Sequence, residues 1–246
     1  MNARFYAPSA SDVGSEIDLP DDEAQHLSRV LRLKAGDSLA VFDGNGGEFA
    51  AVVTAVTKSR VSVRLDARST AKAELPIALT LAQAVLKGDK MDAVVRDAVM
   101  LGFAAVQPIV TARSEVSLGA LTRSDRHERW HRVAVSSAKQ CGRAVVPVIA
   151  PPVAFEGPAS LAHLPSPLFL LVEPGASPHE TTVAGLAPAA PAAATLIVGP
   201  EGGWTPEEVQ RCSGHAHPVG IGPLTLRADA AAVVAAAALL THWKLV

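Results

Sequence analysis

The residues best suited to chemistry lie in Leu196-Ile197-Val198-Gly199-Pro200-Glu201-Gly202-Gly203-Trp204-Thr205-Pro206-Glu207-Glu208. An apolar run enters a glycine-rich turn, and a helix start follows. Thr205 suits the N-cap, Pro206 the first helical position, and Glu208 completes a capping box. Glycines without a Cβ let the main chain approach a ligand closely. The carboxyl end of a parallel strand is where open α/β sheets bind ligands. The spacing is not Gly-x-Gly-x-x-Gly and no Gly-Lys-Ser/Thr follows, which argues against a dinucleotide fingerprint and a phosphate loop. Taken alone, the glycines equally suit an ordinary strand-to-helix turn.

Three more polar segments stand at the ends of apolar runs: Leu86-Lys87-Gly88-Asp89-Lys90-Met91-Asp92, Lys139-Gln140-Cys141-Gly142-Arg143, and Ile221-Gly222-Pro223-Leu224-Thr225-Leu226-Arg227-Ala228-Asp229. Asp229 suits a helix N-terminus, where an acid is favoured. His26 reads as structural. Cys141 and Cys212 lack metal-ligand spacing, so no metal site is expected.

These segments need a scaffold. Ile77–Leu86 is apolar without alternation, as in a strand buried on both faces. Met91, Val94, Val95, Ala98 and Leu101 recur at helical spacing after an Asp89 N-cap, and Gly102 ends the helix. Phe103–Val110 is a second buried strand, giving a β-α-β unit and a parallel sheet. A helix over Ser124–Cys141 buries Trp130, Val133, Ala134, Ala138 and Cys141, with Arg126, Arg129, Arg132, Lys139 and Arg143 on another stripe. Strands are expected at Val145–Ala150, Leu168–Val172 and Thr195–Val198, with a short helix after Thr205 and a long one after Arg227. Upstream, Ser38–Phe42, Glu48–Val56 and Arg60–Leu65 read as strands. Asp43-Gly44-Asn45-Gly46-Gly47 is a hairpin turn requiring positive φ. Asp21–Leu31 reads as a helix with an acidic start. The whole is a small β-barrel over residues 1–73, then an α/β domain over 74–246, with Ser69–Pro76 as linker.

The 246 residues are 49% apolar and 19% charged, enough for a sizeable core. No membrane-length apolar run and no leader are present, so two reduced thiols in the cytoplasm are expected. Net charge is −2. Residues 58–72 nevertheless set Lys58, Arg60, Arg64, Arg68 and Lys72 against Asp66 alone, and residues 113–143 hold seven bases against three acids. Such patches either meet phosphates or are solvated faces.

In order along the chain, these segments resemble the bacterial 16S rRNA uracil-N3 methyltransferases of the knotted (SPOUT) superfamily. The resemblance includes Arg4-Phe5-Tyr6, His26-Leu27, Val30-Leu31-Arg32, Gly36-Asp37, the Lys87–Asp92 cluster, Thr111 with Arg113-Ser114, Gln140 with Arg143, and Gly199–Gly203. It implies a PUA-like, OB-related RNA-binding barrel followed by a trefoil-knotted domain, a homodimer, 16S rRNA of the small ribosomal subunit as partner, and S-adenosylmethionine as cofactor. Three loops would hold the cofactor: Leu171, Val172 and Glu173; Val198, Gly199, Pro200, Glu201, Gly202 and Gly203; Ile221, Gly222, Leu224 and Leu226. Catalysis would rest on Arg227, a donor to the developing negative charge, and Asp229, which either orients Arg227 or acts as a base; Trp204 would stack on a base or cover the turn, and Gln140 would bond a base edge or cap its helix. RNA would be met by Arg4, Arg29, Arg32, Arg113, Arg126, Arg129, Gln140 and Arg143. Uracil N3–H is a weak acid, so roughly 4 kcal/mol opposes forming its anion at cellular pH. The family carries Arg where Leu224 stands and Thr-Glu where Ala228-Asp229 stand. A binding protein with a decayed pocket, or a methyltransferase acting on another RNA, are the other readings.

Overall fold

A computed structural model of the chain describes residues 3–57 and 60–246. Lys58 of the basic segment lies outside the described residues. The chain divides into two compact units: residues 1–74 with 135–146, and 75–134 with 147–246.

In the first unit, β1 (Arg4–Tyr6), β2 (Glu16–Asp18), β3 (Ser38–Phe42), β4 (Glu48–Val56) and β5 (Val61–Ser69) form one sheet, ordered β1-β3-β4-β5-β2. The β3–β4 hairpin closes as its glycines require. Gly44 and Gly46 have φ of 85° and 101°, and Asp43 Oδ1 accepts from the amides of Asn45 at 2.7 Å and Gly47 at 2.9 Å. Phe49, Ala51 and Val53 alternate inward along β4 and pack with Phe5, Leu27, Leu39, Val41, Val63 and Leu65. The expected helix over 21–31 is not uniform. It is α-helical over α1 (Asp21–Gln25) and widens to a π-helix over His26–Leu31, which ends at Arg32 with φ 55°. Leu27 points into the core while Val30 and Leu31 stay exposed.

The second unit holds the parallel sheet. Its elements are β6 (Ala78–Ala84), α2 (Lys90–Met100), β7 (Ala105–Val110), α3 (Leu118–Thr122), α4 (Arg126–Cys141), β8 (Val148–Ile149), β9 (Val153–Ala154), β10 (Leu168–Leu171), β11 (Thr181–Thr182), β12 (Ala193–Val198), α5 (Pro206–Cys212), β13 (His217–Gly220) and α6 (Ala228–His242). The strand order is β11-β13-β10-β12-β6-β7-β8, with β9 also on β7, and all pairings are parallel. Every residue of β10 is buried, as are all but the first of β6 and β12. This follows from their predominantly apolar, non-alternating sequences. α4 straddles the division, its last residues clustering with the first unit.

Three local expectations change. Asp89 occupies the N-cap of α2, but its side chain makes no capping bond; its carbonyl accepts from Asp92 and Ala93. The strand expected over 145–150 shrinks to Val148–Ile149, because Pro147 lacks the N–H a ladder needs. The short α3, capped by the Ser117 hydroxyl, and β1, β2, β11 and β13 were not expected. Among the described residues, no helix is long and apolar enough to cross a membrane, and no cluster of three or more His, Cys, Asp or Glu is arranged to hold a metal.

Candidate active site

β13, β10 and β12 are neighbours, so the turns leaving their carboxyl ends meet. Together with the start of α2 they enclose a cleft of about 330 Å³, at the small end of the range for ligand sites. Leu171, Val172 and Glu173 come from the first turn, Val198, Gly199, Pro200, Glu201 and Gly203 from the second, and Ile221, Gly222, Leu224 and Leu226 from the third. Arg227 and Asp229 lie on the same cleft.

Gly202 is the exception among the expected lining residues. Its carbonyl accepts from Arg113 Nη1 at 2.8 Å, and a Cβ there would meet Arg113 rather than the cleft. Gly203, expected beside it, does line the cleft. Its φ is 67°, and a Cβ on it would stand 2.7 Å from Glu173 Oε1. A Cβ on Gly199 would stand 3.0 Å from the Trp204 indole. Glycine at these positions leaves space to the Trp204 ring and to the Glu173 carboxylate.

Trp204 covers the turn. Its Nε1 donates to Leu171 O at 2.8 Å, and its ring packs on Phe155 at 5.2 Å. The capping box expected of Thr205 and Glu208 forms. Glu208, buried, also accepts from the amide of Ala112 at 2.9 Å. With the Arg113–Gly202 bond, this docks the loop after β7 against the glycine turn.

The charged groups stand around the cleft. Arg227 grips Asp229 with two bonds, Nε to Oδ1 at 3.0 Å and Nη2 to Oδ2 at 2.8 Å. That hydrogen bonding holds the Asp229 carboxyl below its ordinary range, which makes it a weak proton acceptor and favours orientation over base catalysis. Lys90 Nζ bonds Glu201 Oε1 at 2.9 Å. Partial burial pushes the Glu201 carboxyl up, but the Lys90 bond and backbone N–H bonds outweigh it and leave it below its usual value.

Sequence reasoning assigned no role to Lys90, although its polar cluster was conspicuous. It also missed Gln83. This residue is fully buried on β6, donates to Gly199 O at 3.4 Å and to Ala84 O at 3.1 Å, and leaves its own Oε1 without a hydrogen-bond partner. A lone polar residue in an apolar strand was the available signal.

The expected RNA contacts separate into two groups. Arg4 and Arg143 are engaged by partners within the first unit. Arg4 bonds the carbonyls of Ala138, Lys139 and Arg143 at 3.0–3.2 Å, where a cation suits the carboxyl end of α4. It also bonds Glu48 at 2.5 Å and lies over the Phe42 ring. Arg143 is buried against Glu74. Lys139 likewise turns inward to Glu23 at 2.7 Å; burial raises the Glu23 carboxyl despite that partner. Arg29, Arg32 and Gln140 are exposed on the first unit. On the second, Arg113 and Arg129 are exposed and Arg126 half-buried, with Arg129 paired to Asp92.

A family model for the RNA methyltransferase domain matches residues 73–240, and one for the RNA methyltransferase PUA domain matches residues 19–66. Ribosomal RNA small subunit methyltransferase E of Synechocystis sp. is 31% identical over 250 residues, which cover 96% of this chain and 77% of that protein. This chain belongs to the ribosomal RNA small subunit methyltransferase E family. The Bacillus subtilis member is 27% identical, with 95% of this chain and 90% of that protein covered. Among solved structures, the Neisseria gonorrhoeae member bound to S-adenosyl methionine superposes with a TM-score of 0.89 at 31% identity, covering 99% of this chain and 98% of that one. A Legionella pneumophila methyltransferase in complex with bound SAM gives the same TM-score at 30% identity, covering 98% of each chain.

Proposed function

We propose that this chain methylates N3 of a uridine in 16S ribosomal RNA, with S-adenosylmethionine as methyl donor. The observation that carries this reading is the cleft of main-chain turns ending at Arg227 and Asp229. Backbone groups of Gly199–Gly203 and Ile221–Leu226 suit an adenine edge, and Leu171, Ile221 and Leu226 suit its faces. Glycine at 199 and 203 leaves room that a Cβ would take. When bound, the cofactor supplies an electrophilic sulfonium methyl. The chain's own residues must then hold the uracil and favour loss of its N3 proton. Arg227, fixed by Asp229, is a donor to a carbonyl oxygen beside N3, where negative charge develops. Holding N3 in line does much of the rest.

The division of labour follows the sequence reading: residues 1–73 bind RNA and residues 74–246 carry the reaction, in a cytoplasmic protein. Arg29, Arg32 and Gln140, and on the second unit Arg113, Arg126 and Arg129, position phosphates or base edges. A homodimer is supported by exposed Leu224, Leu226 and Val234 around the cleft and on α6. A trefoil knot in the second unit is part of the same reading, as the family resemblance implies.

The test is direct. Small subunits from a strain lacking this gene are incubated with the protein and labelled S-adenosylmethionine, and the rRNA is digested to nucleosides. Labelled 3-methyluridine at one position is expected. Label in another nucleoside, or only in transfer RNA, overturns the assignment.

A further inference from the structure

We propose that Lys90 is a second catalytic cation, which binds the other carbonyl oxygen of the target uracil and shares its negative charge with Arg227. The proposal rests on the N3-methylation reading above. When N3 loses its proton, charge spreads over two exocyclic oxygens, O2 and O4, one on each side of the nitrogen. A single guanidinium serves one of them.

The cleft offers a second donor in the right company. Lys90 opens α2, and Arg227 caps α6. The two helices pack against each other, and both residues line the cleft. An anion there meets two helix N-termini as well as two cations. Each cation is steadied by one carboxylate and keeps donors to spare. The bond to Glu201 uses one of three Lys90 N–H groups, and the Asp229 clamp uses Nε and Nη2 of Arg227, leaving Nη1. The other charged group lining this space is Glu173, from the turn after β10; the backbone amide of Lys87 also donates to Glu201.

In the reaction the N3–H bond breaks and its proton leaves to water. The N3 lone pair then forms the N–CH3 bond as the carbon–sulfur bond breaks, and that bond's electron pair stays on sulfur. The uracil anion and sulfonium cation become two neutral products. No side-chain base is needed if the two cations lower the N3 pKa enough.

The test reads that pKa without turnover. An rRNA fragment carrying 5-fluorouridine at the target position is bound to the protein with S-adenosylhomocysteine, and the fluorine resonance is followed against pH. Wild-type protein is expected to lower the titration midpoint of the base by one unit or more relative to free RNA. Lys90→Met is expected to lose at least half of that shift, and Lys90→Arg to keep most of it. Lys90→Met should also lower kcat 10- to 100-fold on ordinary RNA, with cofactor affinity by calorimetry within twofold. Because fluorine acidifies N3, the kcat deficit should shrink on the fluorinated RNA. Lys90→Gln is the substitute if the Met variant folds poorly by circular dichroism.

The proposal is overturned if a folded Lys90 variant leaves the midpoint and kcat unchanged, or if it weakens cofactor binding while the base titrates as in wild type. In both cases wild-type 3-methyluridine formation stands, and only Lys90's role falls. Wild-type protein that forms no 3-methyluridine instead removes the underlying reading.

Discussion

Trp204 donates its indole N–H to the carbonyl of Leu171 at 2.8 Å, tying the glycine turn after β12 to the end of β10. Trp204→Phe keeps an aromatic ring against Phe155 but leaves that carbonyl unpaired, at a cost of about 1–3 kcal/mol. The expected result is a melting temperature lower by several degrees and weaker S-adenosylmethionine binding. Thermal scanning with and without ligand checks both. A ligand-induced shift equal to wild type would detach the bond from the cleft.

Gly203 and Gly202 are adjacent, yet only Gly203 faces the cleft. Gly203→Ala must hold a positive φ, costing about 1–2 kcal/mol, and sets a methyl against Glu173. Gly202→Ala meets only the Arg113 side chain at 3.2 Å. Calorimetric titration should show at least tenfold loss of cofactor affinity for Gly203→Ala and less than threefold for Gly202→Ala.

Arg4 is a structural cation. Arg4→Ala strips the carboxyl end of α4 and Glu48 of their partner together, and a loss of about 3–5 kcal/mol is expected. Urea denaturation measures it. Arg29→Ala, at an exposed position, should change stability by less than about 0.5 kcal/mol while weakening RNA binding in a salt-dependent way. Equal stability losses in the two variants would contradict this division.

The Asp229 carboxyl is held low by Arg227. A depressed folded pKa contributes stability that is present above the ordinary carboxylate value and lost as pH falls through the depressed one. At neutral pH Asp229 is therefore ionised. Asp229→Asn should lower kcat across pH 6–9 without moving the acid limb of the rate profile. A limb that disappears in the variant would make Asp229 the proton acceptor.

Much of the scaffold was legible because its signals are local. The predominantly apolar, non-alternating runs of β6, β10 and β12 dictate strands buried on both faces. Thr205, Pro206 and Glu208 dictate a helix start. Asp43–Gly47 dictates a turn with left-handed glycines. The resemblance carried by Lys87–Asp92 and Gly199–Gly203 pointed to the family, because those motifs are contiguous stretches of chain. The short β1, β11 and β13 left no such trace; each is held by partners distant in sequence.

The sequence by itself determined which turns are rich in glycine and which residues carry charge. Only the tertiary structure decided where each side chain spends that charge. Arg4, Arg143 and Lys139 look like surface cations in the sequence, but folding brings carboxylates and helix carbonyls to them, and those partners outcompete solvent. Lys90 looked like one more lysine in a polar cluster until the pairing of β12 with β6 set it beside Glu201, and the packing of α6 on α2 put it on the same cleft as Arg227. Hydrogen bonding and Coulomb attraction act over a few ångströms of space, and distance along the chain does not report that separation.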